Sequence, residues 1–138
     1  MGVTDNKALV QRWWEDGYNG RDLSLIDVIF ASTYVHHSND NVLDRAAFGK
    51  AAAAFQQSFP DSSVRIERLV GEGDLVVVRW RFSGTHTVDG ARWGPATGLS
   101  LEFPSTWVCL VQGDTIIEDW ETWDALAVVE RLRSEKPV

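Results

Sequence analysis

The chain has 138 residues, enough for one domain with a single core. Its 44% hydrophobic and 24% charged content is the balance of a folded globular protein rather than a disordered one. A formal net charge of −7 without any basic cluster argues against nucleic-acid partners and against anionic membrane surfaces, both of which need clustered Lys and Arg. The single cysteine, Cys109, excludes an intrachain disulfide and any zinc–thiolate set, and its apolar neighbours in "TWVCLV" make it a buried core thiol.

The first predicted element is a helix over 4–20, "TDNKALVQRWWEDGYNG", with Thr4 as N-cap and the glycines of "GYNG" as its stop. Leu9 with Trp13, and Val10 with Trp14, form i, i+4 pairs on its apolar face. Asp22 caps a short second helix, "LSLIDVIF", and "TYVHH" follows as an extended piece. Asp44 caps a third helix, in which Phe48, Ala51, Ala52, Phe55 and Phe59 recur at helical spacing and Pro60 is the stop. The alanines make a thin face that lets a sheet or a ligand come close.

The pattern then becomes strand-like. "SSVRIERLV", "LVVVRWRFSGTH", "LSLEFPSTWVCLV" and "TIIEDWETW" alternate apolar and polar residues between the turns "GEGD", "VDGARWGPATG" and "QGD". Asp124 stands where it caps a last helix, "ALAVVERLRSE". No repeat or linker interrupts residues 1–138, so a single domain is expected. Helices first, then a long antiparallel meander, then one helix is an α+β order. It implies a cone-shaped curved antiparallel sheet with helices packed in its concave face, and an apolar pocket at the cone's mouth. The N-terminus lacks the basic start and apolar stretch of a signal peptide, and no apolar run reaches a membrane span, so a cytoplasmic location is expected.

The last strand carries the chemistry to be explained. Ile116–Asp124, "IIEDWETWD", sets four carboxylates around Trp120 and Trp123. Alternation puts Ile117, Asp119 and Glu121 on one face and Ile116, Glu118 and Trp120 on the other. If the first face lines a pocket, Asp119 and Glu121 are close enough to share a proton. If it is solvated, both are ordinary surface charges. The seven tryptophans carry the same ambiguity between filling a core and walling a pocket for a flat apolar ligand.

Several motifs in order, Phe59-Pro60-Asp61, Gly73-Asp74, Gly84-Thr85-His86, Pro95-Ala96-Thr97-Gly98 and the closing Glu118, Trp120 and Asp124, resemble the SnoaL-like polyketide cyclases of the nuclear-transport-factor-2-like superfamily. The resemblance covers nearly the whole chain. It implies the conical α+β fold, a homodimer, a hydrophobic small-molecule substrate, and catalysis with neither metal nor organic cofactor. It also implies that a pocket carboxylate moves a proton during aldol cyclisation or isomerisation, and that this acid falls on Glu121, where the family enzymes have Asp. A histidine that partners the acid in some cyclases falls near Trp107. Tyr18 matches a position that influences the stereochemistry of closure, and Ala51 another steering position.

The expected catalytic set is therefore Glu121, Asp119 and His37, the last as a second proton carrier near neutral pH. Trp14, Tyr18, His36, Phe55, Phe59, Trp107 and Trp123 are the expected substrate-binding residues. His86 is read as a structural hydrogen-bonder, and the three histidines match no metal-ligand spacing. Two alternatives stay open. One is epoxide hydrolysis of the limonene epoxide hydrolase type, which here would have to recruit Arg79 or Arg81 as its cation. The other is a non-catalytic binding module.

Overall fold

Strand alternation and helix capping build most of this molecule. The computed structural model describes residues 2–134, so Glu135, the last residue of the expected final helix, lies outside the described residues. Helix α1 (Val3–Arg12) passes directly into a wider π-helical segment, Trp13–Asn19. A 3₁₀ turn (Leu23–Leu25) and the short α2 (Ile26–Ile29) lead to strands β1 (Phe30–Ser38) and β2 (Asn41–Asp44). Helix α3 (Arg45–Ser58), strands β3 (Ser63–Glu72), β4 (Leu75–Thr85), β5 (Ser100–Gln112) and β6 (Thr115–Trp123), and helix α4 (Ala125–Ser134) complete the chain.

The strands form one curved, unclosed sheet in the order β2-β1-β6-β5-β4-β3. The α+β class follows the expectation, with one difference. The sheet is mixed, because β1 runs parallel to β6 while every other neighbour pair is antiparallel. A long excursion separates β1 from β6, so no hairpin geometry forces them to run opposite ways. Helices α1 and α3 cover the inner face, α1 against β3 and β4, α3 against β1.

Two helix caps fall where the sequence puts them. The Asp44 carboxylate accepts from the Ala47 N–H at 2.8 Å, and that of Asp124 from the Ala127 N–H at 2.9 Å, each satisfying an amide that the first helical turn leaves free. The first helix differs from its expected start, beginning at Val3 behind Gly2 rather than at Thr4.

Period-two alternation sends Val76, Val78, Trp80 and Phe82 of β4 inward, together with Leu101, Phe103, Ser105, Trp107 and Cys109 of β5. In β6 the register slips by one residue: Val111 pairs with Ile116 and Leu110 with Glu118, leaving Ile117 as a bulge. Both Ile116 and Asp119 are consequently fully buried, so simple alternation misassigns Ile116 but groups Asp119 and Glu121 on one face, which the structure shows to be the inner one.

The motifs that carry the resemblance are largely clasps. Asp61 accepts both the backbone N–H and the hydroxyl of Thr85, at 2.7 and 2.8 Å, which ties the end of α3 to the end of β4 and lowers the pKa of its own carboxyl. Thr97 meets His86 Nδ1 at 3.1 Å, and Gly98, at a φ of +73°, donates its N–H to the His86 carbonyl at 2.8 Å. His86 is thus a buried structural residue, and desolvation lowers its pKa.

Candidate active site

Between the helices and the inner sheet face lies a cavity of about 370 Å³. Its walls are predominantly aromatic. Trp14 packs with its ring centroid 4.6 Å from Trp80 and 4.8 Å from Trp107. Phe48, Phe55, Phe103 and Trp123 extend the lining, and Ala47, Ala51 and Ala52 supply the thin helical side. The π-helical turn brings Trp13, Trp14 and Tyr18 inward together, all three buried.

Among the described residues, one carboxylate projects into this space, that of Glu121. Its Oε2 accepts the indole N–H of Trp107 and the Ser105 hydroxyl, the latter at 3.2 Å. Its Oε1 accepts the Ser38 hydroxyl at 2.8 Å. The Ser38 oxygen itself accepts the Trp123 indole N–H at 3.1 Å, which aims the hydroxyl proton at Glu121. All these partners act as donors, so the cradle fits an acceptor-only carboxylate.

A polar relay stands behind it. Parallel pairing sets His36 opposite Asp119 and Ser38 opposite Glu121, and alternation along β1 turns Tyr34, His36 and Ser38 to the same side. His36 Nε2 lies 3.4 Å from Glu121 Oε1, and His36 Nδ1 lies 2.5 Å from Asp119 Oδ1. Asp119 Oδ2 accepts the Tyr34 hydroxyl at 2.6 Å. Burial opposes charge on His36, but hydrogen bonds and charge from Asp119 and Glu121 outweigh it and raise its pKa from 6.5 to about 9. Desolvation pushes the Asp119 carboxyl upward, against the hydrogen bonds from His36 and Tyr34. The hydrogen bonds and charge of the two carboxylates thus favour the protonated imidazole of His36 near neutral pH.

The expected site residues fall into three groups. Glu121, Trp14, Tyr18, His36, Phe55, Trp107 and Trp123 line the cavity. Asp119 is fully buried behind His36 and does not reach the cavity, so the direct proton sharing expected between Asp119 and Glu121 is replaced by His36 standing between them. His37 and Phe59 lie elsewhere. Alternation turns His37 to the outer face, where it contacts Glu118 at 2.7 Å and stacks on Trp120 at an interplanar angle of 2°. Phe59 is sealed in the core against Phe82, His86 and Trp93. The Tyr18 hydroxyl is engaged by Ser62 at 2.9 Å, and burial raises its pKa.

Arg79 and Arg81 project outward and pair with Glu67 at 3.7 and 3.4 Å. They supply no cation to the cavity, which removes the form of the hydrolase reading built on them. Among the described residues, no group of three or more His, Cys, Asp or Glu is arranged to hold a metal ion, and no helix is long and apolar enough to cross a membrane.

Sequence reasoning missed Ser38, Ser105, Tyr34 and Arg92. Tyr34 and Ser38 were within reach, since both share parity with His36 on one strand. Nothing local in the sequence points to Ser105.

The family model of the SnoaL-like polyketide cyclases matches residues 8–132. The chain belongs to that family. Solved structures agree with it in fold. A provisionally assigned SnoaL-like polyketide cyclase from Jannaschia sp. CCS1 superposes with a TM-score of 0.87 at 20% identity, covering 96% of this chain and 94% of its own. AclR from Streptomyces galilaeus, provisionally assigned as a hydroxylase, gives 0.84 at 23% identity, covering 99% and 86% respectively. TsrD from Streptomyces laurentii gives 0.83 at 21% identity, covering 98% and 99%. No curated protein matches the sequence significantly. The two provisional descriptions, one a polyketide cyclase and one a hydroxylase, sit on the same fold, so the chemistry has to be argued from the side chains.

Proposed function

We propose that this SnoaL-like protein is a cofactor-free acid/base enzyme. Its substrate is a hydrophobic, oxygenated small molecule, and its reaction is proton transfer alpha to a carbonyl leading to aldol-type cyclisation or isomerisation. The observation that carries this reading is Glu121, among the described residues the one carboxylate lining a predominantly aromatic cavity, held there by Trp107, Ser105 and Ser38.

Glu121 takes the proton from the carbon beside the carbonyl. Of its polar contacts the one to His36 is the longest, at 3.4 Å, so that side of Oε1 is where a substrate C–H displaces least. The electron pair moves to the carbonyl oxygen, and the His36 Nε2–H is the cationic donor beside the developing oxyanion. In a cyclisation the enolate carbon attacks a second carbonyl of the same molecule. The new alkoxide then recovers the proton from Glu121, so no atom is lost or gained. Asp119 and Tyr34 act through His36 as positioning residues, fixing its ring and its charge.

Exchange at the alpha carbon of 2-tetralone in D2O, followed by proton NMR, tests the assignment. The expected result is catalysed exchange that falls about 10²- to 10⁴-fold in Glu121→Gln, the usual contribution of a positioned general base. Wild-type rates in that variant would remove Glu121 from the mechanism.

A further inference from the structure

The loop between β4 and β5 places a second charged group at the same cavity. Arg92 lines it, exposed to solvent on one side, while its guanidinium carbon lies 4.7 Å from the Trp93 ring centroid, 5.4 Å from Trp123 and 5.8 Å from Phe55. These rings surround the guanidinium carbon, and its electrostatic neighbour in the cavity is the Glu121 carboxylate. No ion pair or hydrogen bond engages Arg92 among the described residues. The nearest acid in its own loop, Asp89, is occupied, accepting the Ala96 N–H at 2.8 Å.

The loop itself is built to hold this position. Gly90 and Gly94 exchange backbone hydrogen bonds of 3.1 and 2.8 Å across the turn that carries Arg92. Trp93 is buried as its anchor, and the Thr87 and Val88 N–H groups both reach the Ser58 carbonyl at the end of α3. A Cβ on Gly90 would sit 2.3 Å from Ser58 Oγ, so the loop lies flat on the helix. A guanidinium held among aromatic rings on an anchored loop, with no hydrogen bond or close ion pair to the described residues, is organised in advance for a planar anion.

We propose that Arg92 is the carboxylate-binding residue of this cavity, and that the natural substrate is an acid: an aromatic or polycyclic ketone whose carboxylate meets Arg92 at the mouth while its apolar body fills the interior. A carboxylate matches one guanidinium in charge and in bidentate geometry. A phosphate dianion would bring two charges to a single cation in a chamber that already contains the Glu121 carboxylate. The choice of cavity and of a ketone rests on the acid/base reading above; the anion preference does not.

The test is binding without turnover, by ligand-observed NMR titration at low salt, using 2-naphthoate and its neutral counterpart 2-acetonaphthone. Wild type is expected to prefer the carboxylate by about tenfold, the scale of one charge-assisted pair at a partly solvated site. Arg92→Met keeps an apolar stem over the same rings. It is expected to lose that preference, bringing the two probes within about twofold, while the affinity for the ketone is unchanged. Arg92→Lys is expected to retain only part of the preference, because the fork geometry is lost. Equal affinities in wild type, a preference that survives Arg92→Met, or no binding of either probe would each overturn the proposal. Glu121→Gln separates the two readings. It is expected to stop exchange while keeping or strengthening the carboxylate preference. If it keeps exchange while Arg92→Met loses the preference, the base assignment falls and the Arg92 assignment stands.

Discussion

At the scale of single residues, the centre of the site is a charge arrangement spread over two strands. Glu121 and Asp119 lie two residues apart on β6, and His36 comes between them from β1. The sign of the resulting pH dependence is fixed by the proton on His36. Its folded pKa of about 9 lies above the 6.5 it returns to on unfolding, so its contribution is full below 6.5 and is lost as pH rises through 9. Urea denaturation across that window is expected to show wild type losing on the order of 3 kcal/mol relative to His36→Gln. Parallel curves for the two proteins would show that His36 carries no such proton. Exchange catalysis should instead hold through neutral pH and decline only as pH rises through about 9, where the folded protein loses the cationic donor beside Glu121.

At the scale of elements, the π-helical turn at Trp13–Asn19 narrows the arc that its large side chains span. It turns two adjacent tryptophans and a tyrosine toward the same interior. The turn depends on Gly17, where an added Cβ would meet the Trp13 ring at 2.4 Å. In an ordinary helix Gly→Ala stabilises by up to about 1 kcal/mol. Here overpacking reverses the sign, and Gly17→Ala is expected to cost about 1–3 kcal/mol, read from the urea midpoint. The β6 bulge at Ile117 is a second local departure with a wide effect, since it buries Ile116 and Asp119 together. Alternation alone does not reveal a bulge, because the extra residue is chosen by the partner strand. The caps at Asp44 and Asp124 were readable because the amide each satisfies is three residues away in sequence.

At the scale of the whole molecule, the cavity exists because a thin helical face meets a sheet of large aromatics. Ala51 lines it from α3, opposite walls supplied by β4 and β5. Ala51→Leu should therefore fill space rather than strain a packed core. It is expected to weaken 2-naphthoate binding by about tenfold or more, while stability stays within about 1 kcal/mol of wild type. A loss of stability without loss of binding would mean that this alanine serves packing alone. The same geometry sorts the tryptophans between the two roles that their number left open. Trp13, Trp14, Trp80, Trp107 and Trp123 wall the cavity, Trp93 anchors the Arg92 loop, and Trp120 lies on the outer face against His37.

The sequence by itself determined the features that depend on neighbours along the chain. These are the α+β order, the two aspartate caps, the inward parity of β4 and β5, and the motif order that marks the family. It also placed Glu121 and Asp119 on one face of β6, since parity survives at positions beyond the bulge, while leaving open whether that face was pocket or solvent. Only the tertiary structure decided which acid reaches the cavity, because that depends on His36 arriving from a strand more than 80 residues away in sequence. It likewise decided that His37 faces outward, that Phe59 is sealed in the core, and that Arg92 rather than Arg79 or Arg81 stands at the mouth. Each of those outcomes rests on strand register or loop placement, which long-range packing sets and local pattern does not encode.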